Sequence, residues 1–236
     1  MAAGRANAVR HSVIRAPVVA LPFILASNSP RRHALLAEAG YEFEVVGPPI
    51  SELAVAQLSL RELTIANATR KAMAVARIHR RRVVLAADTL VAMEGEIIGK
   101  PSDLNHARMI LRRLSGRTHD VCTAVYIVGP RARISFAEIS QVRFRKLTES
   151  DITRYFKVVN PIDKAGAYAA QAVGRSIIAS VEGSFTNVIG LPMESTTEAL
   201  AEFGLQPVNA SRPQSRVALS QRVLARVSRR GTKTTQ

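Results

Sequence analysis

Between residues 23 and 204 of this 236-residue chain, short β-branched runs alternate with helix-period patterns. That alternation restricts the fold to the α/β or α+β classes. Phe23-Ile24-Leu25-Ala26 has strand length, and Ser29-Pro30 opens a helix: a hydroxyl N-cap, then a proline where no N–H is needed. Leu35, Leu36 and Ala39 share one face of it, and Gly40 stops it. "EFEVVGPP" reads as a strand ended by Pro48-Pro49. "SLRELTIANATRKAMAVARIHR" reads as a long helix with Leu60, Leu63, Ala68, Ala72, Val75 and Ala76 on one side. "RVVLAADTLVAM" is a strand that turns back at Glu94-Gly95 through "EIIGKP". A helix capped by Ser102 and stopped by Gly116 follows, then the strands "HDVCTAVYIVG" and "RISFAEISQVRFRKL". Thr148 caps a further helix, "SIIASVEGSFTNVIGLP" reads as two strands around Glu182-Gly183, and "ESTTEALAEFG" is a last short helix.

The net charge of +15 is unevenly placed. Residues 1–22 hold three arginines and no acid, and residues 205–236 hold seven bases and no acid. Residues 23–204 carry 23 bases against all 18 acids. The middle is thus only mildly basic, which suits a small anionic ligand better than a surface that wraps nucleic acid. The segments 1–22 and 205–236 are read as basic extensions, disordered or, in "SRVALSQRVLARVSRR", weakly helical. The single cysteine, Cys122, excludes an internal disulfide framework and points to a reducing compartment. No run reaches the roughly 18 apolar residues of a membrane span. Pro17 and Pro22 interrupt the apolar stretch that would otherwise resemble a secretory signal; an acid-free, arginine-bearing start also fits an organelle transit peptide.

Arg31 and Arg32 fall in the first turn of the first helix, the positive end of its dipole. Either both point into water at a small cost, or an anion lies between them and the helix end, where free N–H groups and guanidinium forks bind phosphate or carboxylate oxygens. Asp88 ends the apolar run "VVLAA", so it marks either a site at a strand end or a structural carboxylate bonding nearby N–H groups. Lys100, between "IIG" and Pro101, reads as a phosphate contact or a solvated loop lysine. Lys71 beside Arg70 is equally well explained by a solvated helix face. Glu52 stands in a loop after Pro48-Pro49. In "NPIDKAGAYAAQ", Asp163 and Lys164 are adjacent, Gly166 permits a turn, and Gln171 offers one acceptor and two donors, enough to read a pyrimidine edge or to satisfy its own loop. The five histidines are scattered without zinc-ligand spacing, and there is no Walker loop, G-x-S-x-G or dinucleotide glycine fingerprint.

"LASNSPRR", "AADT", "GKP", "LSGRTHDV", "DKAGAYAAQ" and "NVIGLP" occur in the order seen in the Maf family of nucleoside triphosphate pyrophosphatases, and the chain resembles that family over residues 23–204. The resemblance implies an elongated mixed sheet with flanking helices in two lobes around a cleft, similar to the inosine-triphosphate pyrophosphatases. It implies hydrolysis of nucleoside triphosphates to the monophosphate and diphosphate, a divalent cation (Mg²⁺ or Mn²⁺), and a homodimer in the cytoplasm. On the matching positions, Asp88 is the implied catalytic proton acceptor and, with Glu52, a metal-associated carboxylate. Ser29, Arg31, Lys71 and Lys100 fall at substrate-binding positions. Arg32, Thr89 and Gln171 match the positions that separate substrate subgroups, and this combination resembles the dTTP/UTP branch rather than the 7-methyl-GTP branch. The chain departs from the pattern at Ser51, where an acid is common, and in "AYAAQAVG", where Ala170 and Ala172 add bulk beside the glutamine. A rival reading makes the chain a nucleotide-sensing or nucleic-acid-binding protein acting through its basic tails by non-specific phosphate contact. Those tails carry no aromatic residue for base stacking.

Overall fold

Two short parallel pairs begin a sheet that continues antiparallel. The computed structural model describes residues 22–55 and 57–208, with the side chains of 172 and 173 left aside. Strand β1 (Phe23–Leu25) lies between β2 (Phe43–Val45) and β3 (Val84–Met93), parallel to both. Antiparallel pairing then adds β4 (Glu96–Ile98) to β3, β5 (Thr118–Val128) to β3, β6 (Arg133–Phe144) to β5 and β7 (Ile178–Glu182) to β6. The order is β2-β1-β3-β5-β6-β7, with β4 sharing the β1 side of β3. The β3–β4 hairpin turns on Glu94 and Gly95, both at positive φ (55° and 80°), the geometry of a tight two-residue turn.

The strand period of two sorts β3 between two cores. Leu85, Ala87, Val91 and Met93 join one, with Leu35 and Leu36 of α1 (Pro30–Glu38) and Leu111 and Leu114 of α3 (Leu104–Leu114). Val84 and Ala86 join the other, with Ala72 and Val75 of α2 (Leu60–Ala76). A sheet covered on both faces needs apolar residues at consecutive positions, which is why "VLAA" is apolar throughout. Helices α4 (Glu149–Phe156), α5 (Phe185–Ile189) and α6 (Met193–Glu202) complete the fold. Ser59 and Glu62 close a reciprocal capping box on α2, as Thr148 and Asp151 do on α4.

Several sequence expectations change. The cap of α3 is Asp103, whose Oδ1 accepts from the His106 N–H at 2.8 Å; Ser102 donates to Asp103 instead. "FTNVI" is the helix α5, not a strand. Ser184 caps it, and the Asn187 amide is drawn inward to the Val121 carbonyl and the Ser140 hydroxyl. The buried face of α2 holds Thr64, Asn67 and Lys71 among its apolar residues, while Leu60 is only half-buried. Residues 205–208 belong to the fold rather than to a tail: Leu205 packs on the core and the Val208 N–H donates to the Gly40 carbonyl. The expectations for residues 1–21 and for the segment from 209 onward lie outside the described residues. Among the described residues no helix is long and apolar enough to cross a membrane.

Candidate active site

Pairing along β3 changes partner part-way. On one edge, β1 pairs as far as Leu25↔Leu85 and β4 resumes at Val91↔Ile98. Among the described residues no strand pairs with the intervening five residues, 86–90, on that edge, a window of roughly 15–20 Å at strand rise. Both flanking strands run toward the window. β1 ends there and releases Ser27-Asn28-Ser29 into α1, and β4 ends there and releases Gly99-Lys100. Two segments about 70 residues apart thus frame Asp88, the crevice beyond carboxyl strand ends where α/β sheets place ligands. Asp88 sits within β3, paired with Ala124, and not at the end of the strand. What ends beside it is its neighbour, β1.

A cavity of about 470 Å³ fills the window. Ser29, Arg31, Arg32, Glu52, Lys71, Asp88, Thr89 and Lys100 all line it, so eight of the nine expected site residues meet at one place. The ninth, Gln171, is half-buried and not among the lining residues; its chain neighbours Ala169 and Ala170 are. Only glycine fits at 174 behind that wall, because a Cβ there would come within 2.0 Å of the Ala169 carbonyl oxygen. The side chain of Ala172 lies outside the described residues.

Asp88 and Thr89 point to opposite faces of β3. On the α2 face, Lys71 is buried and its ammonium donates to Asp88 Oδ1 at 2.5 Å and Glu52 Oε1 at 2.7 Å. Lys100 donates to Glu52 Oε2 at 2.8 Å. Burial opposes the Glu52 charge, but hydrogen bonds from Lys100 and Lys71 outweigh it and hold the carboxyl at about 2. Asp88 is 2% exposed, and its Oδ2 is buried with no hydrogen-bond partner among the described residues. A solvated role for Lys71 is therefore overturned; Arg70, one residue earlier, is the exposed one.

On the other face, Arg32 turns away from the dipole of its own helix. Its Nε donates to the Gly190 carbonyl at 2.7 Å, at the C-terminal end of α5, where carbonyls favour a cation. Nη1 reaches Ser27 Oγ at 3.2 Å and Nη2 reaches Thr89 Oγ1 at 2.9 Å. The Thr123 hydroxyl donates to the Asn187 carbonyl at 2.8 Å, so its contact with Thr89 at 2.9 Å is one in which Thr89 donates. Asn187 also accepts from the Thr123 N–H at 3.1 Å. Burial lowers the Arg32 pKa, with the Asp88 carboxylate opposing that shift. Among the described residues three of its five N–H groups are committed and two are not. Ser29 takes the N-cap position of α1 but makes no side-chain cap bond, contrary to expectation, so the hydroxyl does not occupy the first-turn N–H groups.

Sequence reading missed Thr123 and Asn187, which hold the Arg32 side together. It noticed Asp163 and Lys164 without placing them, yet both line the cavity. The adjacency of "DK" in a glycine-bearing segment was the available signal.

The family model described as Maf-like protein matches residues 22–203. The chain belongs to the Maf family. The dTTP/UTP pyrophosphatase of Akkermansia muciniphila is 48% identical to this Maf protein over 183 residues, covering 78% of this chain and 97% of that one. The dTTP/UTP pyrophosphatases of Symbiobacterium thermophilum and Salmonella typhimurium are each 43% identical, over 77% and 76% of this chain and 93% and 91% of theirs.

Proposed function

We propose that this Maf protein hydrolyses nucleoside triphosphates, dTTP and UTP foremost, to the monophosphate and diphosphate. The observation that carries the reading is Asp88 Oδ2: a buried carboxylate oxygen with no partner among the described residues, in a cavity lined by Arg31, Arg32, Lys71 and Lys100. A triphosphate brings about four negative charges, and phosphoryl chemistry depends mainly on positioning and on stabilising that charge. Asp88 is buried within β3, paired with Ala124, so its carboxylate keeps a defined direction when the ammonium groups are engaged elsewhere. It accepts a proton from water as the water oxygen bonds to the α-phosphorus and the bond to the diphosphate breaks. The cations contact the oxygens on which charge accumulates.

The donor set suits a divalent cation bound with the nucleotide. Among the described residues no group of three or more His, Cys, Asp or Glu gathers as a metal site. Glu52 and Asp88 supply two carboxylates, the number Mg²⁺ takes when phosphates and water complete its shell. Glu52 and Asp88 would hold it, and its contribution when bound is to polarise phosphate oxygens. Three of the four carboxylate oxygens already bond Lys71 or Lys100, so binding means that these ammonium groups pass to phosphate.

The Gln171 carbonyl accepts from the Gly174 N–H at 3.0 Å, while its side-chain amide makes no hydrogen bond with the described residues, which supports an amide free to read a base edge beside Ala169 and Ala170. The homodimer and the cytoplasmic location belong to the same proposal. The deciding experiment is a screen of nucleoside triphosphates, 7-methyl-GTP included, with Mg²⁺ or Mn²⁺, scoring diphosphate against monophosphate release. Diphosphate from pyrimidine nucleotides supports the reading; orthophosphate release, or no turnover with any nucleotide, overturns it.

A further inference from the structure

The cavity holds a fifth cation. Lys164 lines it, its side chain 13% exposed, and the ammonium donates to the Asn160 carbonyl at 2.7 Å and to Asp163 Oδ1 at 2.5 Å. An ammonium has three donors, so one remains. The segment that carries it is tied to the Lys100 wall, because the Gly166 N–H donates to the Gly99 carbonyl at 3.2 Å. Asp163 also lines the cavity and reaches across it: its Oδ2 lies 3.8 Å from Arg31 Nη1 on α1. One carboxylate therefore bridges two cations from separate walls.

The carboxylates of the cavity differ in how easily they can leave. Asp88 is buried within a strand, whereas the Asp163 side chain is 59% exposed and meets Arg31 only at long range. An ion pair this long with one partner so exposed holds weakly, and the Lys164 bond at 2.5 Å is the tighter of the two. Withdrawing Asp163 toward water gives up the weak Arg31 pair, exchanges its Lys164 bond for one from Lys164 to the incoming phosphate, and uncovers two cations at once. Burial works against the Asp163 charge, but Lys164 and Arg31 together hold its carboxyl below the usual range, so it is an anion whenever the cavity is empty of phosphate near neutral pH.

We infer that Lys164 is a further phosphate ligand and that Asp163 is its displaceable counter-ion, shared with Arg31. The inference rests on the nucleotide reading above. Phosphate oxygens replace Asp163 on both cations, and when the diphosphate departs Asp163 takes them back. The competition lowers affinity for bound polyphosphate in general, which keeps the product from holding the site.

The test is calorimetric binding of inorganic diphosphate, and of a nucleotide with a non-hydrolysable α,β-bridge, to the full chain and two variants. Lys164→Gln should weaken both about tenfold or more, the scale of a lost hydrogen bond to a charged group. Asp163→Asn should tighten both by roughly threefold, the scale of one exposed ion pair. A merely structural role for Asp163 cannot produce tightening. Lys164→Arg should restore most of the affinity, and melting temperatures show whether each variant is folded. Unchanged binding in a folded Lys164→Gln, or unchanged or weaker binding in Asp163→Asn, overturns the inference. If Lys164→Gln is unfolded, Lys164→Arg and Asp163→Asn decide alone. Because binding needs no turnover, opposed shifts in a chain that hydrolyses nothing would sink the catalytic reading and leave this one standing. Hydrolysis without opposed shifts would do the reverse.

Discussion

Asp88 and Thr89 are neighbours in the chain and look into different chemistries. On the Asp88 side the groups are ions: Lys71 and Lys100 divide three carboxylate oxygens of Glu52 and Asp88 between them. On the Thr89 side one cation, Arg32, ends a chain of neutral groups through Thr89, Thr123 and Asn187. On the proposed function the ionic side exchanges partners, since a polyphosphate offers the ammonium groups oxygens like those they already hold. The neutral side is built to keep them: each hydroxyl proton has one acceptor, and Asn187 joins β5, β6 and α5 through both ends of its amide. Chemistry that needs rearrangement thus lies against a frame that resists it.

Substitutions should separate the two sides. The largest effect belongs to Asp88→Asn, which keeps shape and removes the proton acceptor. Turnover should fall about 10²- to 10⁴-fold, with nucleotide affinity within a few fold and the melting temperature little changed. Single-turnover hydrolysis beside calorimetry checks it, and near-normal turnover would remove Asp88 from the mechanism. On the neutral side the order reverses. Asn187→Ala should cost roughly 2–4 kcal/mol of stability in denaturant unfolding, because several buried partners lose their bonds together. If that variant lost rate but not stability, the contrast between frame and chemistry would fail.

Acid should act on the two regions in different windows. His119 lies on the Thr123 face of β5, buried, its Nε2 2.9 Å from the Tyr168 hydroxyl and its Nδ1 without a partner among the described residues. Burial holds its pKa at about 4, below the 6.5 of an exposed imidazole. The unfolded chain therefore binds the proton first, and stability falls as pH drops from 6.5 toward 4, by up to about 3 kcal/mol. Glu52, held at about 2, contributes stability that is complete above its ordinary value of 4.5 and is lost as pH falls toward 2. Unfolding midpoints measured from pH 7 to 3 should show the first loss in the parent chain and not in His119→Gln. The smallest effect is expected from Gln171→Ala. It should narrow the preference for dTTP or UTP over purine triphosphates by roughly tenfold or less, about one hydrogen bond to a base edge. An unchanged ratio of kcat/KM would end the base-reading role.

Much of the fold was legible because long periodic segments decide their own state. The stretches now seen as α2, β3, β5, β6 and α4 announced themselves by spacing and caps. Short segments did not. "FTNVI" is β-branched enough for a strand, yet a five-residue helix forms once Ser184 caps it and Asn187 finds Val121 and Ser140 inside. Lys71 shows the same limit within a helix, since its spacing fitted a solvated face equally well and only the meeting with Asp88 and Glu52 decides its place.

The linear order of residues determined which chemical groups were available: a carboxylate inside an apolar strand, two arginines after a Ser-Pro turn, lysines at a strand exit and on a helix. These follow from side-chain identity and local period, which need no distant contact. Tertiary structure alone decided that β1 and β4 would stop short of each other along β3, so that those groups share one opening. It also decided which cations meet neutral groups and which meet carboxylates. Both are settled by strand register and burial, properties of pairs of segments and not of any one of them.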